Sequence, residues 1–461
     1  MKQEILVAGL GVTGVATAKS LAKLGKSVLV YEEDSSAAMQ IKADEIRSIA
    51  NIDVTFAQPE TLPKLIITSP GWKPNHPVLI HAVSSGCEVI SEVEYAWRID
   101  QESAKPKTWV GLTGTNGKTT TVGMAEAIFK ADGKKAVACG NIGKTVIEVI
   151  TGDEVVEYLI LELSSFQLHW SDQLRLHSAA ILNIADDHLD WHGTFTEYLA
   201  AKKRITDGAN LIIINRDDRH LNSLEFCDDQ RVVKFTLDAP RPGEIGVVEE
   251  LLVDRAFVED PQEASALAEL SDINPQAPHN VANALAAMAL ARSCGVKVDS
   301  IAEGLRKFAP GHHRIEEVEN SEGIRWINDS KATNPHAANA SLAAFTSIIW
   351  IAGGLAKGAD MEDLVKSKAG RLKAALLIGT DRDLIADALT KHAPQIPKYL
   401  IDGDLPDQLM ENLIFKAKEL AESGDVVLLA PACASMDQFT SYAHRGDLFA
   451  EKVKQLTGSK K

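Results

Sequence analysis

Apolar positions along the chain come in two spacings. Short unbroken runs at residues 4–8, 27–31, 65–68 and 88–90 read as strands buried on both faces, the mark of a parallel sheet. Between them lie stretches such as residues 15–24, with the three-and-four spacing of a helix. The alternation predicts a small parallel α/β unit over residues 1–100. A polar stretch at 101–107, containing Pro106, precedes a new strand at 108–112 and sets the first boundary. The middle segment, 101–309, repeats the rhythm with strands at 158–163, 179–184 and 210–215 and an alanine-rich helix at 281–292, which predicts a second parallel sheet. After a helix at 301–308, the run Ala309-Pro310-Gly311-His312-His313 brings Pro and Gly together and breaks the periodicity near 310. The last segment, 310–461, has strands at 347–352, 374–378 and 425–430 and predicts a Rossmann-like domain. Only residues 458–461 read as a loose tail.

At about 150 residues per domain, 461 residues suit this three-domain division. The formal charge of −16 repels a phosphate backbone, so nucleic acid is not an expected partner. An anionic small substrate would then be held by local devices: glycine-rich loops, helix N-termini and a few placed cations. No charged stretch followed by a long apolar run opens the sequence, so neither secretion nor membrane insertion is expected. The five cysteines, at 87, 139, 227, 294 and 433, are widely spaced and form no C-x-x-C pair; a reducing, cytoplasmic setting is expected.

Two loops carry candidate chemistry. Gly9-Leu10-Gly11-Val12-Thr13-Gly14 follows a strand, opens a helix, and is followed by the acidic pair Glu32 and Glu33 after the next strand. Three glycines let backbone amides approach a diphosphate at the helix N-terminus, though which diphosphate the motif does not say. Thr113-Gly114-Thr115-Asn116-Gly117-Lys118-Thr119-Thr120 also joins a strand to a helix. Amides of such a loop cradle phosphates, the lysine reaches the outer phosphates, and the hydroxyl after it ligates magnesium. The loop is a variant, since Leu112 stands where the common pattern has glycine. Beyond it, Glu162 is read as ending one strand and Asp186-Asp187-His188 another, where parallel sheets present ligand-facing groups, so magnesium near the γ-phosphate is expected there. Asn141, between Gly140 and Gly143, suits an ordinary turn.

The segment from Gly114 to Thr120, then Glu162-Leu163-Ser164-Ser165-Phe166-Gln167-Leu168, then Asp187-His188, resemble the Mur ligase family in order and spacing. His279-Asn280 with Asn283, His313-Arg314, Asn328-Asp329-Ser330-Lys331-Ala332-Thr333-Asn334 and Pro431-Ala432-Cys433-Ala434-Ser435-Met436-Asp437-Gln438-Phe439 resemble its D-glutamate-adding branch. Three positions depart from that pattern: Ala185, where a hydroxyl residue is expected; Tyr442, where phenylalanine is; and Glu32, where aspartate is commoner.

The resemblance implies an α/β protein of three domains: an N-terminal Rossmann-like UDP-binding domain, a central P-loop ATPase-like parallel sheet, and a C-terminal Rossmann-like domain. It implies a monomeric ligase in which ATP phosphorylates the carboxylate of UDP-N-acetylmuramoyl-L-alanine and the amine of D-glutamate then attacks the acyl phosphate, in peptidoglycan precursor synthesis. Lys118, Glu162, His188, Lys202 and Asn141 are the implied catalytic residues. Two magnesium ions are implied, one on Thr119 and Glu162, the other on His188 and on Lys202 carried as a carbamate derived from carbon dioxide. ATP falls to Gly114, Thr115, Asn116, Gly117, Lys118, Thr119, Thr120, Asn280, Asn283, Arg314, Asp329 and Lys331. The UDP substrate falls to Gly9, Gly11, Thr13, Gly14, Glu32, Ser69, Pro70, Gly71, Asn141 and His188, and D-glutamate to Thr333, Lys357, Ser435 and Tyr442. A nicotinamide-dependent oxidoreductase would explain the first loop and the α/β rhythm but leave Lys118, Glu162, His188 and the last domain without a role, and a folylpolyglutamate synthase would lack the stretch from Asn328 to Asn334.

Overall fold

In the computed structural model, residues 3–260, 262–309 and 311–457 are described; Pro310 of the expected break and the expected loose tail at 458–461 lie outside them. The chain divides into two compact units, residues 1–308 and 309–461.

The first unit contains two sheets. One has five parallel strands in the spatial order Ile52–Thr55, Val28–Tyr31, Ile5–Ala8, Leu65–Thr68, Glu88–Ser91. Its central strand Ile5–Ala8 is buried throughout, as the unbroken apolar run requires. The helix Ala37–Arg47 and the strand Ile52–Thr55 were not legible in the pattern: that strand alternates buried and exposed positions because it lies at the sheet edge.

The other sheet has nine strands in the order Ser265–Glu269, Leu251–Asp254, Glu244–Val248, Arg231–Phe235, Leu211–Asn215, Ser178–Ile181, Thr108–Thr113, Tyr158–Glu162, Ala136–Gly140. It is parallel, as expected, except at one edge, where Glu244–Val248, Leu251–Asp254 and Ser265–Glu269 pair antiparallel. The turn explains the change: Val248 pairs with Leu251, and Glu249 between them has φ +54, so a tight hairpin replaces a helical crossover. The alanine-rich helix runs Pro278–Ser293, begins with proline at a position needing no amide donor, and is buried on nearly all sides against the sheet.

The second unit has a six-stranded sheet in the order Glu316–Ser321, Ile324–Asn328, Val426–Leu429, Ile348–Gly353, Leu372–Ile378, Lys398–Leu400. The first strand is antiparallel to the second and the rest run parallel. The loops after Ile324–Asn328, Val426–Leu429 and Ile348–Gly353 therefore emerge side by side at the carboxyl edge, where such sheets present ligand sites.

Candidate active site

The phosphate-type loop leaves Thr108–Thr113 and enters the helix Lys118–Ala131 through Gly117, whose φ of +82 suits glycine. Its neighbours hold it in shape. Thr115 donates its amide to Asn183 O at 3.0 Å, and its hydroxyl takes the Ala185 amide at 3.0 Å. Asn183 Oδ1 accepts from the Asn116 amide at 2.9 Å. Ala185 thus meets the loop through its backbone, which is why the missing hydroxyl leaves this contact intact. Lys118 Nζ donates to Gly114 O and Thr115 O, both at 2.9 Å, and so sits folded over the loop.

Glu162 ends its strand, 2% exposed, and divides its carboxylate between two partners. Oε2 accepts from Thr119 Oγ1 at 2.7 Å and Oε1 from Asn141 Nδ2 at 2.9 Å. The Asn141 amide also donates to Glu162 O at 2.8 Å. Asn141 is therefore more than a turn residue: backbone and side chain both address Glu162. A hydroxyl, a carboxylate and an amide brought together at the mouth of a phosphate loop form the oxygen-rich set that magnesium prefers.

One sequence expectation needs correction. The strand before Asp186-Asp187-His188 ends at Ile181, so those residues lie in the following loop. His188 has φ +53 and caps the short helix Leu189–His192, with its ring 4.8 Å from that of Phe166. Of the residues between, Asn183 and Ala185 bond the phosphate loop and Ile184 donates its amide to Asp218 Oδ2 at 2.8 Å.

Lys202 lies in the last turn of the helix Phe195–Lys203 and is 2% exposed. Its Nζ donates to Gly114 O at 2.8 Å and Thr113 Oγ1 at 3.3 Å and stands 4.9 Å from the centre of the Tyr198 ring. Burial, then the Lys118 charge, push its pKa well below the ordinary lysine range, against Asp187 and Glu162, which pull upward. His192 shows that His188 and Lys202 share a neighbourhood: burial first, then His169, His188 and Lys202, push its imidazole down to about 4. His192 Nε2 and Ser165 Oγ are 2.8 Å apart. Tyr198, which shares a hydrogen bond of 2.9 Å with Thr115 Oγ1, is held above the ordinary phenol range by burial. The sequence reading missed Tyr198, Asn183 and His192; only the closeness of Asn183 to Asp187-His188 could have flagged one of them.

On the helix Pro278–Ser293, Asn283 reaches the phosphate loop, while Asn280 donates to Pro275 O at 3.1 Å.

At the first sheet, Gly9 has φ +105, and a Cβ on Gly14 would stand 1.8 Å from Gly9 O, so strand and helix meet at glycine contact. Gly11 caps the helix Val12–Lys23, and Thr13 O takes the Thr17 hydroxyl. Glu32 faces this loop: Oε2 accepts from the Leu10 amide at 2.7 Å, and Oε1 accepts from the amides of Glu33 and Asp34. The Ser69 hydroxyl is buried beside Gly9 with no hydrogen-bond partner among the described residues, and Pro70 and Gly71 lead on to Trp72, which packs on Tyr31 and His76.

In the second unit, Leu355 and Ala434 exchange backbone hydrogen bonds of 2.9 Å, and the Ala432 amide donates to Ala332 O at 2.9 Å. These bonds bring the loops of Lys357, Ser435 and Thr333 alongside one another. Ser330 Oγ donates to Tyr442 O at 2.7 Å, and Lys331 Nζ stands 3.7 Å from the Tyr442 ring centre. Lys331, expected at ATP, is thus grouped with residues expected at D-glutamate. Arg445, fully buried and missed in the sequence, clasps Ser330 O and Oγ and Cys433 O, tying two of these loops together. Asp329 Oδ1 accepts from the Ile315 amide and Oδ2 from Ser341; Arg314 pulls its pKa down, but burial dominates and pushes it up to about 6.

Family models match in three consecutive blocks: a Mur ligase MurD-like N-terminal domain over residues 3–91, a Mur ligase middle domain over 112–291, and a Mur ligase glutamate ligase domain over 313–433. The chain belongs to the Mur ligase family. Its relatives include the UDP-N-acetylmuramoylalanine--D-glutamate ligase of Streptomyces coelicolor, 49% identical over 98% of each chain. The protein of the same name from Mycobacterium leprae is 40% identical over 98% of this chain and 97% of its own. Among solved structures, MurF from Acinetobacter baumannii aligns with a TM-score of 0.64 at 17% identity, over 93% of this chain and 91% of that one. UDP-N-acetylmuramate-alanine ligase from Thermotoga maritima aligns with a TM-score of 0.58 at 19% identity, over 98% and 99%. At that identity the two structures establish the fold.

Proposed function

We infer that this chain is an ATP-dependent ligase that forms an amide between the carboxyl group of UDP-N-acetylmuramoyl-L-alanine and the amine of D-glutamate, a step of peptidoglycan precursor synthesis. The observation that carries it is the near-full-length identity to relatives of that name, in a chain whose phosphate loop meets Glu162 and Asn141.

The order of events follows from the chemistry. A carboxylate does not accept an amine until one oxygen becomes a leaving group, so ATP first transfers its γ-phosphoryl to the acceptor carboxylate. The D-glutamate amine then attacks the acyl carbon and phosphate departs. Phosphoryl transfer needs positioning and charge neutralisation more than covalent help. Lys118 would turn from its loop carbonyls to the phosphates, and Asn141 would orient the acceptor's carboxylate. Thr119 and Glu162 would hold one magnesium ion, and His188 with a Lys202 carbamate the second; bound magnesium neutralises charge on the transferring group. The support for the carbamate is a fully buried amine facing a phosphate loop, where a cation would add to Lys118 and an anion would offset it.

The loops of Gly9 and Ser69 would hold the UDP end, with the Ser69 hydroxyl supplying a donor that has no other use. Asn280, Asn283, Arg314 and Asp329 would serve ATP. Thr333, Lys357, Ser435 and Tyr442 would serve D-glutamate, whose two carboxylates need a cation and several donors. Domains at 1–100, 101–309 and 310–461, a cytoplasmic location and a monomeric state belong to the same reading; five unpaired cysteines support the reducing compartment.

Phosphate release measured with ATP, magnesium and the UDP-linked acceptor tests this reading. Turnover should require D-glutamate and be absent with L-glutamate; equal turnover with both enantiomers, or release without acceptor, would refute it.

A further inference from the structure

The turn carrying Asn141 is held at both ends. At one end, Asn141 bonds Glu162 through its backbone and its side chain, at 2.8 and 2.9 Å. At the other, residues 144–145 lead into the short helix Val146–Ile150, whose Ile147 amide donates to Glu92 Oε1 at 2.7 Å. Glu92 belongs to a different sheet: it opens the helix Glu92–Gln101 directly after the edge strand Glu88–Ser91, and it is 2% exposed.

Its neighbours pin the same joint. The Ser91 amide donates to Trp170 O at 2.7 Å, Ser91 Oγ and Ser171 Oγ are 2.7 Å apart, and Glu94 Oε2 takes the amides of Asp172 and Gln173. One strand-to-helix junction of the five-stranded sheet thus grips two segments of the nine-stranded sheet. Of its three gripping side chains, only Glu92 holds the segment leading to Asn141.

We propose that Glu92 is a positioning residue for the ligation: by fixing the start of the helix Val146–Ile150 it fixes the turn 140–145, and so sets Asn141 against Glu162 for the acceptor's carboxylate. The proposal rests on the ligase reading of Asn141 given above.

The joint carries a pH sensitivity of definite sign. Burial pushes the Glu92 carboxyl up to about 7; the Ile147 and Val146 amides oppose the rise and Glu148, on the gripped helix, adds to it. Burial first, then the charges of Glu92 and of Glu126 on the helix Lys118–Ala131, hold up the thiol of Cys139, on the strand Ala136–Gly140. A carboxyl whose pKa is raised in the locked state favours that state while protonated and penalises it once ionised. The lock is therefore strongest below the ordinary carboxyl range and weakens as pH rises through about 7.

The test compares wild type, Glu92→Gln and Glu92→Ala by steady-state kinetics between pH 6 and about 8.5, a span that covers the titration of Glu92. Wild type should show a KM for the UDP-linked acceptor that climbs several-fold as pH rises from 6 through about 7 and then levels off. Glu92→Gln, neutral at every pH and still able to accept one amide, should keep a low acceptor KM throughout. Glu92→Ala should raise that KM about tenfold even at pH 6 while leaving the KM for ATP within about twofold, a split that general loss of folded enzyme does not produce. If Glu92→Ala proves unstable, the ratio of wild-type to Glu92→Gln acceptor KM across pH decides alone. A Glu92→Gln profile parallel to wild type, or an unchanged acceptor KM in Glu92→Ala, overturns the proposal while leaving the ligase reading standing. A wild type that releases no phosphate with acceptor and D-glutamate removes both.

Discussion

The side-chain oxygen of Asn283 stands 2.3 Å from where a Cβ on Gly117 would lie, so the helix Pro278–Ser293 is seated directly on the phosphate loop. Gly117 also has φ +82, which costs an L side chain roughly 1–2 kcal/mol. Gly117→Ala should therefore displace both loop and asparagine. Titration with a nonhydrolysable ATP analogue should show affinity at least about tenfold weaker, a loss of roughly 1.4 kcal/mol, with circular dichroism unchanged. Wild-type affinity in that variant would mean that Asn283 does not shape the nucleotide site.

Lys357 sits at φ +52 in the loop beyond the paired Leu355 and Ala434, exposed and next to the loop of Ser435. A lysine bond to a carboxylate is worth about 1.5–3 kcal/mol, or about ten- to a hundredfold in binding. Lys357→Ala should raise the KM for D-glutamate by that factor and leave the KM for ATP unchanged. The reverse pattern, weakened ATP with normal D-glutamate, would reassign this lysine.

Asp329 offers a test of stability against pH. Burial lifts its carboxyl from the ordinary range to about 6, so the native state favours the protonated form more than the unfolded chain does. The stability this contributes is complete below about pH 4 and is lost as pH rises through about 6. In Asp329→Asn the neutral form is permanent. Melting temperatures should therefore diverge in favour of the variant, relative to wild type, between pH 4 and about 7, even though the amide retains only one of the two acceptors used by Ile315 and Ser341. A difference independent of pH would show that Asp329 is not buried in this way.

The sequence made most of this arrangement legible where chemistry and periodicity coincide. Gly9 to Gly14, Gly114 to Thr120 and Glu162 lie at strand ends, and a strand buried on both faces cannot hide its end. What stayed illegible depends on edges and on distant partners. Ile52–Thr55 and the hairpin after Glu244 lie toward sheet margins, where one face meets solvent and the unbroken apolar run disappears. The loop at Asp187-His188 follows a stretch, residues 179–185, that is apolar but for Asn183 and so mimics a longer strand, although the strand ends at Ile181 and Asn183 and Ala185 bond the phosphate loop. Arg445 and Tyr198 carry no motif; their roles come from partners far along the chain, Ser330 and Cys433 for one and Thr115 for the other.

Lys202 allows a covalent prediction. An unperturbed lysine has a pKa near 10.4, so at pH 7 only about a few amines in ten thousand are neutral and able to attack carbon dioxide. Here complete burial, helped by the Lys118 charge, pushes the pKa well below that range and enlarges the reactive fraction. The ammonium first gives up one proton; the neutral nitrogen then bonds the carbon of carbon dioxide as one C=O π pair moves onto oxygen, and a second N–H proton leaves to solvent, so a cation becomes a carboxylate-like anion with two oxygens. Such a group suits magnesium as the ammonium form does not. Lys202→Ala and Lys202→Arg should both be nearly inactive, since neither can form the adduct and the arginine also keeps a positive charge. Lys203→Ala should be affected far less, because its amine lies over the ring of Phe226 at 5.9 Å, away from Gly114. Formate or acetate should partly restore the alanine variant by supplying the missing carboxylate to the ion, and should do nothing for the arginine variant. Crystals grown with bicarbonate, magnesium and an ATP analogue should show density for the adduct on Nζ; a bare amine under those conditions, in an enzyme that still turns over, would sink the assignment.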